Sequence, residues 1–393
     1  MTDTMATLPD LVPPPVELPE RVAALRSEVR AFLAEERAAG AWRPRADTWL
    51  SGWDERFTKE LARRGWLGMT IPTEYGGHGR GALDRYVVTE ELLAAGAPVA
   101  AHWVADRQIG PSLMRFGTEE QRQRFLPGIA AGEVYFGIGM SEPDSGSDLA
   151  SVRSKADRVD GGWELTGTKV WTSGAHHAHA FFALVRTSPK DDTNRHAGLS
   201  QLIVDLKAPG VTIRPIPLLT GAHHFNEVVF DKVFIPDSMV LGEIGQGWHQ
   251  VTSELAFERS GPERYLSTFP LVVALLGEIA GHDLDAGRRR DLGGLVSRYW
   301  TLRRMSLAIA GALEAGKAPE LAAAVVKDLG TRFENEVIDA ARLLVSIPPD
   351  PGGEQGGFAR LLADAVLHAP GFTLRGGTNE ILRGIVARGL GLR

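Results

Sequence analysis

Cysteine is absent from the 393 residues. That excludes disulfide scaffolds, thiolate metal sites and cysteine nucleophiles. No run of about twenty apolar residues is present to span a bilayer as a helix. The start of the chain is polar and then carries Pro13-Pro14-Pro15, which is no cleavable-signal pattern. A cytoplasmic protein without a membrane partner is expected. A basic excess is lacking too: 43 Lys and Arg face 49 Asp and Glu, a net charge of −6 that argues against nucleic acid as the main partner. What the chain does have is core material. With 44% hydrophobic residues it is too long for one core, so two or three structural units are expected.

The hydrophobic period changes twice. From Glu20 to Ile129, Ala- and Leu-rich segments with charged opposite faces predict helices over 21–39, 53–64, 83–95, 105–116 and 119–129. Thr118 is a natural N-cap there, followed by the acidic pair Glu119 and Glu120. From Gly132 to Gly245 short β-branched and aromatic runs (163–172, 181–186, 202–205, 228–235), punctuated by Gly and Pro, predict strands. After Gly247 helices are expected again over 248–260, 270–280, 292–315, 319–345, 357–368 and 379–390. Pro348-Pro349-Asp350-Pro351-Gly352-Gly353 reads as an irregular linker. The expected domains are therefore 1–131 (helical), 132–245 (β) and 246–393 (helical). No internal repeat is visible.

The most informative segment is Ser141-Glu142-Pro143-Asp144-Ser145-Gly146-Ser147-Asp148, followed by Lys169-Val170-Trp171-Thr172-Ser173. A serine-rich turn relaxed by Gly146 can bring hydroxyls and backbone N–H groups against a planar, anion-accepting ring. Trp171 offers an indole face for such a ring. Taken singly, the serines read as a plain turn and the tryptophan as core.

This pair of segments resembles the flavin-binding middle domain of the acyl-CoA dehydrogenases. The resemblance extends over nearly the whole chain. It takes in Gly65-Trp66-Leu67-Gly68, Pro72-Thr73-Glu74-Tyr75-Gly76-Gly77-His78-Gly79, Phe225-Asn226-Glu227-Val228, Phe230 to Pro236, Gly245-Gln246-Gly247-Trp248 and Gly376-Gly377-Thr378-Asn379-Glu380-Ile381. It implies a mainly α fold with a central β-domain: an N-terminal helical domain, a β-barrel-like middle domain and a C-terminal four-helix bundle. It further implies an FAD-dependent enzyme that converts an acyl-CoA to the trans-2-enoyl-CoA, with electrons passing to an electron-transfer flavoprotein. By the same resemblance Ile138 to Ser147, with Met140 and Gly146, form the flavin cradle. Ser141 bonds the pyrimidine end, Ser173 lies near N5, Trp171 packs beside the ring, and Ser147 faces the acyl-CoA. Thr378, as N-cap of the last helix, and Glu380 sit near the ribityl or phosphate part.

The reaction needs a carboxylate to take the α-proton. Many relatives carry glutamate just before the terminal Gly-Thr, but here that position is Gly376, which keeps only a backbone N–H for the thioester oxygen. A second subset of the family places the base on a C-terminal helix immediately before an arginine, and Phe257-Glu258-Arg259 matches it. Periodicity supports Glu258 independently. Trp248, Val251 and Leu255 define an apolar seam whose next position is 258, so a carboxylate stands where a core residue is expected. Burial would raise its pKa and Arg259, also a candidate substrate contact, would oppose the rise. The competing reading is a salt-bridged helix-edge glutamate paired with Arg259 or Arg264, with Glu254 and Glu380 as reserve bases.

Two departures from the family pattern stand out. Family homotetramers carry Arg-x-x-Phe-Gly and Gln-x-x-Gly-Gly segments that reach a neighbour's FAD. Here Arg298-Tyr299-Trp300-Thr301-Leu302-Arg303-Arg304 and Ala341 to Ile347 stand instead. An oligomer is expected, and a second, different chain is one source of the absent contacts. That arrangement resembles the two-subunit bacterial dehydrogenases of steroid side-chain breakdown. The alternative is that Arg298, Arg303 or Arg304 binds the pyrophosphate in a homo-oligomer. Rival functions are a flavin monooxygenase or oxidase of the same fold, or a non-catalytic partner subunit. The close-set His176, His177, His179, His223 and His224 read as polar strand-end loops, and no metal is expected.

Overall fold

The computed structural model describes residues 11–258 and 261–392, with the side chains of 254–258 left aside. The described residues fall into two compact units. One is drawn from Met1–Gly52, Gly81–Val99 and Glu258–Arg393, the other from Trp53–Arg80 and Ala100–Phe257.

The second unit is built around an eight-stranded sheet: β1 (Phe136–Gly139), β2 (Lys155–Val159), β3 (Gly162–Ser173), β4 (Ala180–Arg186), β5 (Leu199–Asp205), β6 (Val211–Pro217), β7 (His223–Pro236) and β8 (Val240–Leu241). The order is β6-β7-β3-β2-β4-β5-β8, with β1 parallel to β4. The uninterrupted apolar run of β4 has a physical cause, because both of its faces are covered. Phe181, Ala183 and Val185 pack into a cluster with Leu165, Val228 and Phe230 of β3 and β7. Ala180 and Phe182 face a second cluster with Phe125, Leu126 and Ile129 of the helix Glu119–Ala130. Each fully buried phenylalanine contributes about 2 kcal/mol on an area basis. That helix starts at a capping box formed by Thr118 and Gln121. The Gln121 amide also donates to Ser238 O (2.7 Å) and Val240 O (2.8 Å), tying helix to sheet.

The first unit is helical, with long elements at Glu20–Ala38, Ala82–Ala95, Phe269–Ile279, Ala286–Glu314, Glu320–Leu344, Phe358–Phe372 and Asn379–Gly389. Its apolar contacts include Val22, Leu83, Tyr86, Val87, Leu307 and Ala310. A buried polar centre interrupts them. Glu90 accepts from Arg26 (2.8 Å) and Arg303 (2.8 Å), and the hydroxyls of Tyr86 and Tyr265 meet at 2.9 Å.

Most expected elements are present, with shifted ends. The helix expected over 357–368 runs through Pro370 to Phe372. The segment 105–116 opens as a π-turn at Ala105–Ile109 before the α-helix Gly110–Phe116. Strands β1, β2, β6 and β8 were not among the expected ones. No helix among the described residues is long and apolar enough to cross a membrane.

Candidate active site

In the sheet unit the serine-rich segment leaves β1 and is fastened to β3. Val170 N donates to Ser141 O at 2.9 Å, which sets Ser141 beside Trp171. Below it lies an ion pair. Lys169 Nζ donates to Glu142 Oε1 at 2.7 Å and to Met140 O at 3.1 Å, and the Lys169 side chain is wholly buried. Glu142 also accepts from the backbone N–H groups of Arg153 (2.6 Å) and Ser154 (2.9 Å). Burial alone would raise the Glu142 pKa. The Lys169 charge and these hydrogen bonds outweigh it and hold the carboxyl below its usual range. Burial lowers Lys169 to about 8 against the pull of Glu142. The turn closes through Glu142 N to Ser145 O (2.8 Å), Ser145 N to Glu142 O (3.1 Å) and Ser145 Oγ to Asp148 O (2.7 Å). Ile138, Met140 and Ser141 are half-buried at the root of the segment, while Gly146 and Ser147 are exposed at its tip.

Trp171 carries two costly features at once. Its φ is +60°, in the left-handed region that a tryptophan seldom enters, and its side chain is 57% exposed. The strain amounts to about 1–2 kcal/mol. It arises at a register shift between Lys169 and Thr172 in the β3–β7 ladder, where a bulge re-aims the side chain. Phe225 meets the indole edge-on at 5.8 Å. Strain kept together with an exposed aromatic face marks a binding surface rather than a core position. Thr172 beneath is buried and Ser173 half-buried. These residues fit a flat ring: an indole stands free, two half-buried serines flank it, and a Cβ added at Gly146 would meet nothing within 4 Å. That last fact corrects the reason given for Gly146. Its φ is not in the left-handed region, so it supplies open space rather than backbone freedom. The glycine that packing requires is Gly139, where a Cβ would lie 2.3 Å from the Phe181 ring.

In the helical unit the terminal turn needs its glycines for conformation. Gly376 and Gly377 have φ of +67° and +88°. A Cβ at Gly376 would also stand 3.0–3.2 Å from the Arg264 guanidinium, which is fully buried. Thr378 is the N-cap of the last helix and accepts from Ile381 N at 3.4 Å. Glu380 is exposed; a backbone N–H and then the Thr378 side chain hold its carboxyl below the usual range. In the sheet unit, which extends to Phe257, the helix Gly247–Glu258 carries Val251 fully buried and Trp248 half-buried, as its seam predicts. The side chains of Glu254 and Glu258 and the whole of Arg259 lie outside the described residues.

A buried charged network beside this turn escaped the sequence reading. Arg375 donates to Asp47 Oδ1 (2.6 Å) and Ser267 Oγ (2.8 Å), and its guanidinium lies 4.4 Å from the Trp49 ring centre. His368 Nδ1 is 3.3 Å from Asp47 Oδ2, and Glu334 Oε1 accepts from Ser267 N at 2.9 Å. Burial pushes Glu334 up to about 7 against the opposing Arg375 charge. A signal for Glu334 did exist. It shares a helical seam with the buried Val337, Ile338 and Ala341, the same argument that singled out Glu258.

Among the histidines, His176 stacks on His223 at 3.8 Å and His177 on Trp53 at 4.5 Å. Burial, with like charge from His177 and His223, brings His176 down to about 4. No cluster among the described residues is arranged to hold a metal ion.

Comparison with known proteins decides the family. The acyl-CoA dehydrogenase N-terminal, middle and C-terminal domains match residues 19–133, 137–233 and 245–391. The chain belongs to the acyl-CoA dehydrogenase family. Acyl-CoA dehydrogenase IpdE1 of Mycobacterium tuberculosis is 35% identical over 94% of this chain and 98% of its own. Acyl-CoA dehydrogenase FadE34 of the same organism is 35% identical over 95% of this chain, which spans about half (49%) of that relative's length. Among solved structures, the Tcur3481-Tcur3483 steroid ACAD superposes with a TM-score of 0.84 at 30% identity, over 96% of this chain and 98% of that one. The ChsE4-ChsE5 complex of M. tuberculosis gives 0.81 at 29% identity, over 96% and 99%. The pattern of a two-subunit steroid-type dehydrogenase, expected from the sequence, is thus shared with named neighbours. Within this acyl-CoA dehydrogenase fold, Arg303 is engaged by Glu90 and Arg298 by Glu336, so of the three arginines considered for a pyrophosphate two are already paired.

Two outcomes follow from the electrostatics. Lys169→Met leaves the Glu142 carboxylate buried without its cation, and is expected to cost about 3–5 kcal/mol. The double variant Glu142→Gln with Lys169→Met should recover much of that loss, as read by urea midpoints. Glu334 tests pH dependence. The folded chain keeps its proton up to about 7 and the unfolded chain releases it near 4.5. The folded state therefore binds more protons in that window, and stability falls as pH rises through it, by roughly 3 kcal/mol in all. Glu334→Gln should be no more stable than the parent near pH 4.5 and more stable near pH 8, as followed by melting temperature.

Proposed function

We propose that this chain catalyses FAD-dependent α,β-dehydrogenation of an acyl-CoA thioester to the trans-2-enoyl-CoA and passes electrons to an electron-transfer flavoprotein. The observation that carries the reading is Trp171, held exposed in a left-handed conformation beside Ser141 and Ser173. An unpartnered strand surface has no use for that strain. In this reading Trp171, Ser141 and Ser173 hold the isoalloxazine, and Ile138, Met140, Gly146 and Ser147 complete its cradle. Thr378 and Glu380 serve the ribityl or phosphate part. FAD, when bound, would supply the acceptor for the β-hydrogen as hydride. Glu258 takes the α-proton. The Gly376 N–H holds the thioester oxygen as negative charge develops there. Ser147 and Arg259 contact the acyl-CoA.

The Arg264 guanidinium fills the space beside Gly376, so the case for a bulky or ring-bearing acyl group rests on the solved neighbour named as a steroid ACAD, which is 30% identical. A steroid-type acyl-CoA is the proposed substrate class. For the assembly we favour a hetero-oligomer with a second dehydrogenase-like chain, in the cytoplasm. The helix Ala286–Glu314 exposes Val296 and Trp300 four residues apart, and Leu343 on the next helix is 74% exposed. Apolar side chains of this size left in water suit a protein partner.

Glu258→Gln is expected to lower turnover at least about a hundredfold while flavin content stays that of the parent. Unchanged turnover would remove Glu258 from the mechanism. In a dye-reduction assay a steroid-type acyl-CoA should be oxidised with a higher kcat/KM than a linear one of similar size. A clear preference for the linear chain would overturn the substrate class.

A further inference from the structure

Two consecutive glycines with positive φ have no side chains with which to hold their own geometry, so the residues on either side must fix the Gly376–Gly377 turn. On the C-terminal side Lys327, wholly buried, donates to Gly377 O at 2.5 Å and to Asn379 Oδ1 at 3.1 Å, and Thr331 Oγ1 donates to the same Asn379 oxygen at 3.1 Å. On the N-terminal side stands Arg375. We propose that Arg375 is the positioning residue of this turn, fixed by Asp47 and Ser267, and that it aims the Gly376 N–H at the thioester oxygen. The inference rests on the role proposed above for Gly376.

Three observations carry it. First, the anchor is rigid. Asp47 itself has φ of +58°, its N–H donates to Ser267 O at 2.9 Å, and Trp49 Nε1 donates to Ser267 Oγ at 3.2 Å, so the group that Arg375 grips is fixed from several sides. Second, the guanidinium is confined. It lies over Trp49 at 4.4 Å and Phe372 at 5.0 Å, and the carboxylates of Asp47 (2.6 Å) and Glu334 (3.8 Å) face it. Third, the arrangement is expensive for mere stability. A buried Arg–Asp pair with a second acid is commonly matched or bettered by apolar residues of equal volume. Its use next to a backbone donor in a two-glycine turn indicates positional demand, since displacement of a reacting group by about 1 Å costs on the order of a hundredfold in rate.

The test uses the full-length, flavin-loaded protein with two variants, Arg375→Lys and the volume-keeping double variant Asp47→Asn with Arg375→Gln. Hydrogen exchange is read for the peptide spanning 373–382 and for the helix Ala286–Glu314. Steady-state kcat and KM are read with an acyl-CoA that the parent oxidises. In both variants, exchange of the turn is expected to rise about tenfold or more while that helix is unchanged. In both, kcat should fall about tenfold or more with KM within roughly threefold. Parental exchange at the turn, an equal rise in turn and helix, or loosened exchange with parental kcat would each overturn the proposal. Should the parent oxidise no acyl-CoA at all, the reading of the reaction fails, and the exchange result still decides by itself whether Arg375 holds the turn.

Discussion

The buried pair of Lys169 and Glu142 is the constraint from which the geometry of the serine-rich segment follows. A wholly buried ammonium must be matched by acceptors, and here the irregular segment supplies them through Met140 O and the Glu142 carboxylate. Because Glu142 in turn receives the N–H groups of Arg153 and Ser154, the segment is gripped at its root and again eleven residues on. The serine-rich turn between those grips is thereby free to project its tip into solvent without losing its place on the sheet. Lys169 also precedes the bulge by one step, so the residue that anchors the segment marks the point where Trp171 is turned outward.

The helical unit repeats the device with different residues. Lys327, buried, donates to Gly377 O as Lys169 donates to Met140 O. In both cases a cation drawn out of water is satisfied by a carbonyl in a stretch that makes no regular ladder. Such a carbonyl lacks an intrahelical or interstrand N–H, and a lysine delivered from a neighbouring regular element supplies the missing donor. The stretch gains a fixed geometry that its own residues, rich in Gly and Ser, cannot impose.

What the sequence disclosed divides along the same physical line. Segments whose burial follows a regular period were legible: the helix Glu119–Ala130 from its cap and stripe, and β4 from its apolar run. Strand β2 was not, because in Lys155–Val159 only Ala156 points inward and no alternation survives. Strand β6 ends the sheet order and carries Pro215, a residue that weakens a strand signal without excluding an edge strand. The serine-rich segment was singled out through the family motif, and its role as a flavin cradle stands as a proposal. The outward turn of Trp171 was not legible, since it depends on a register shift against β7, more than fifty residues away. Asp47 and Arg375 lay beyond reach for the same reason, whereas Glu334 stood on a readable apolar seam.

The environment of Gly376 bears on where a base can reside. A carboxylate built on that position would lie against the Arg264 guanidinium, whose nitrogens come within 3.0–3.1 Å of the site of its Cβ. Such a cation favours the ionised form and holds the carboxyl's pKa low. A carboxylate so stabilised is a weak proton acceptor near neutral pH, where a general base works best with a pKa close to ambient. The left-handed φ of Gly376 adds a backbone cost for any side chain. Restoring the terminal-loop glutamate would therefore require Arg264 to change as well. Arg264 and the backbone at Gly376 together disfavour a loop-borne base in this chain.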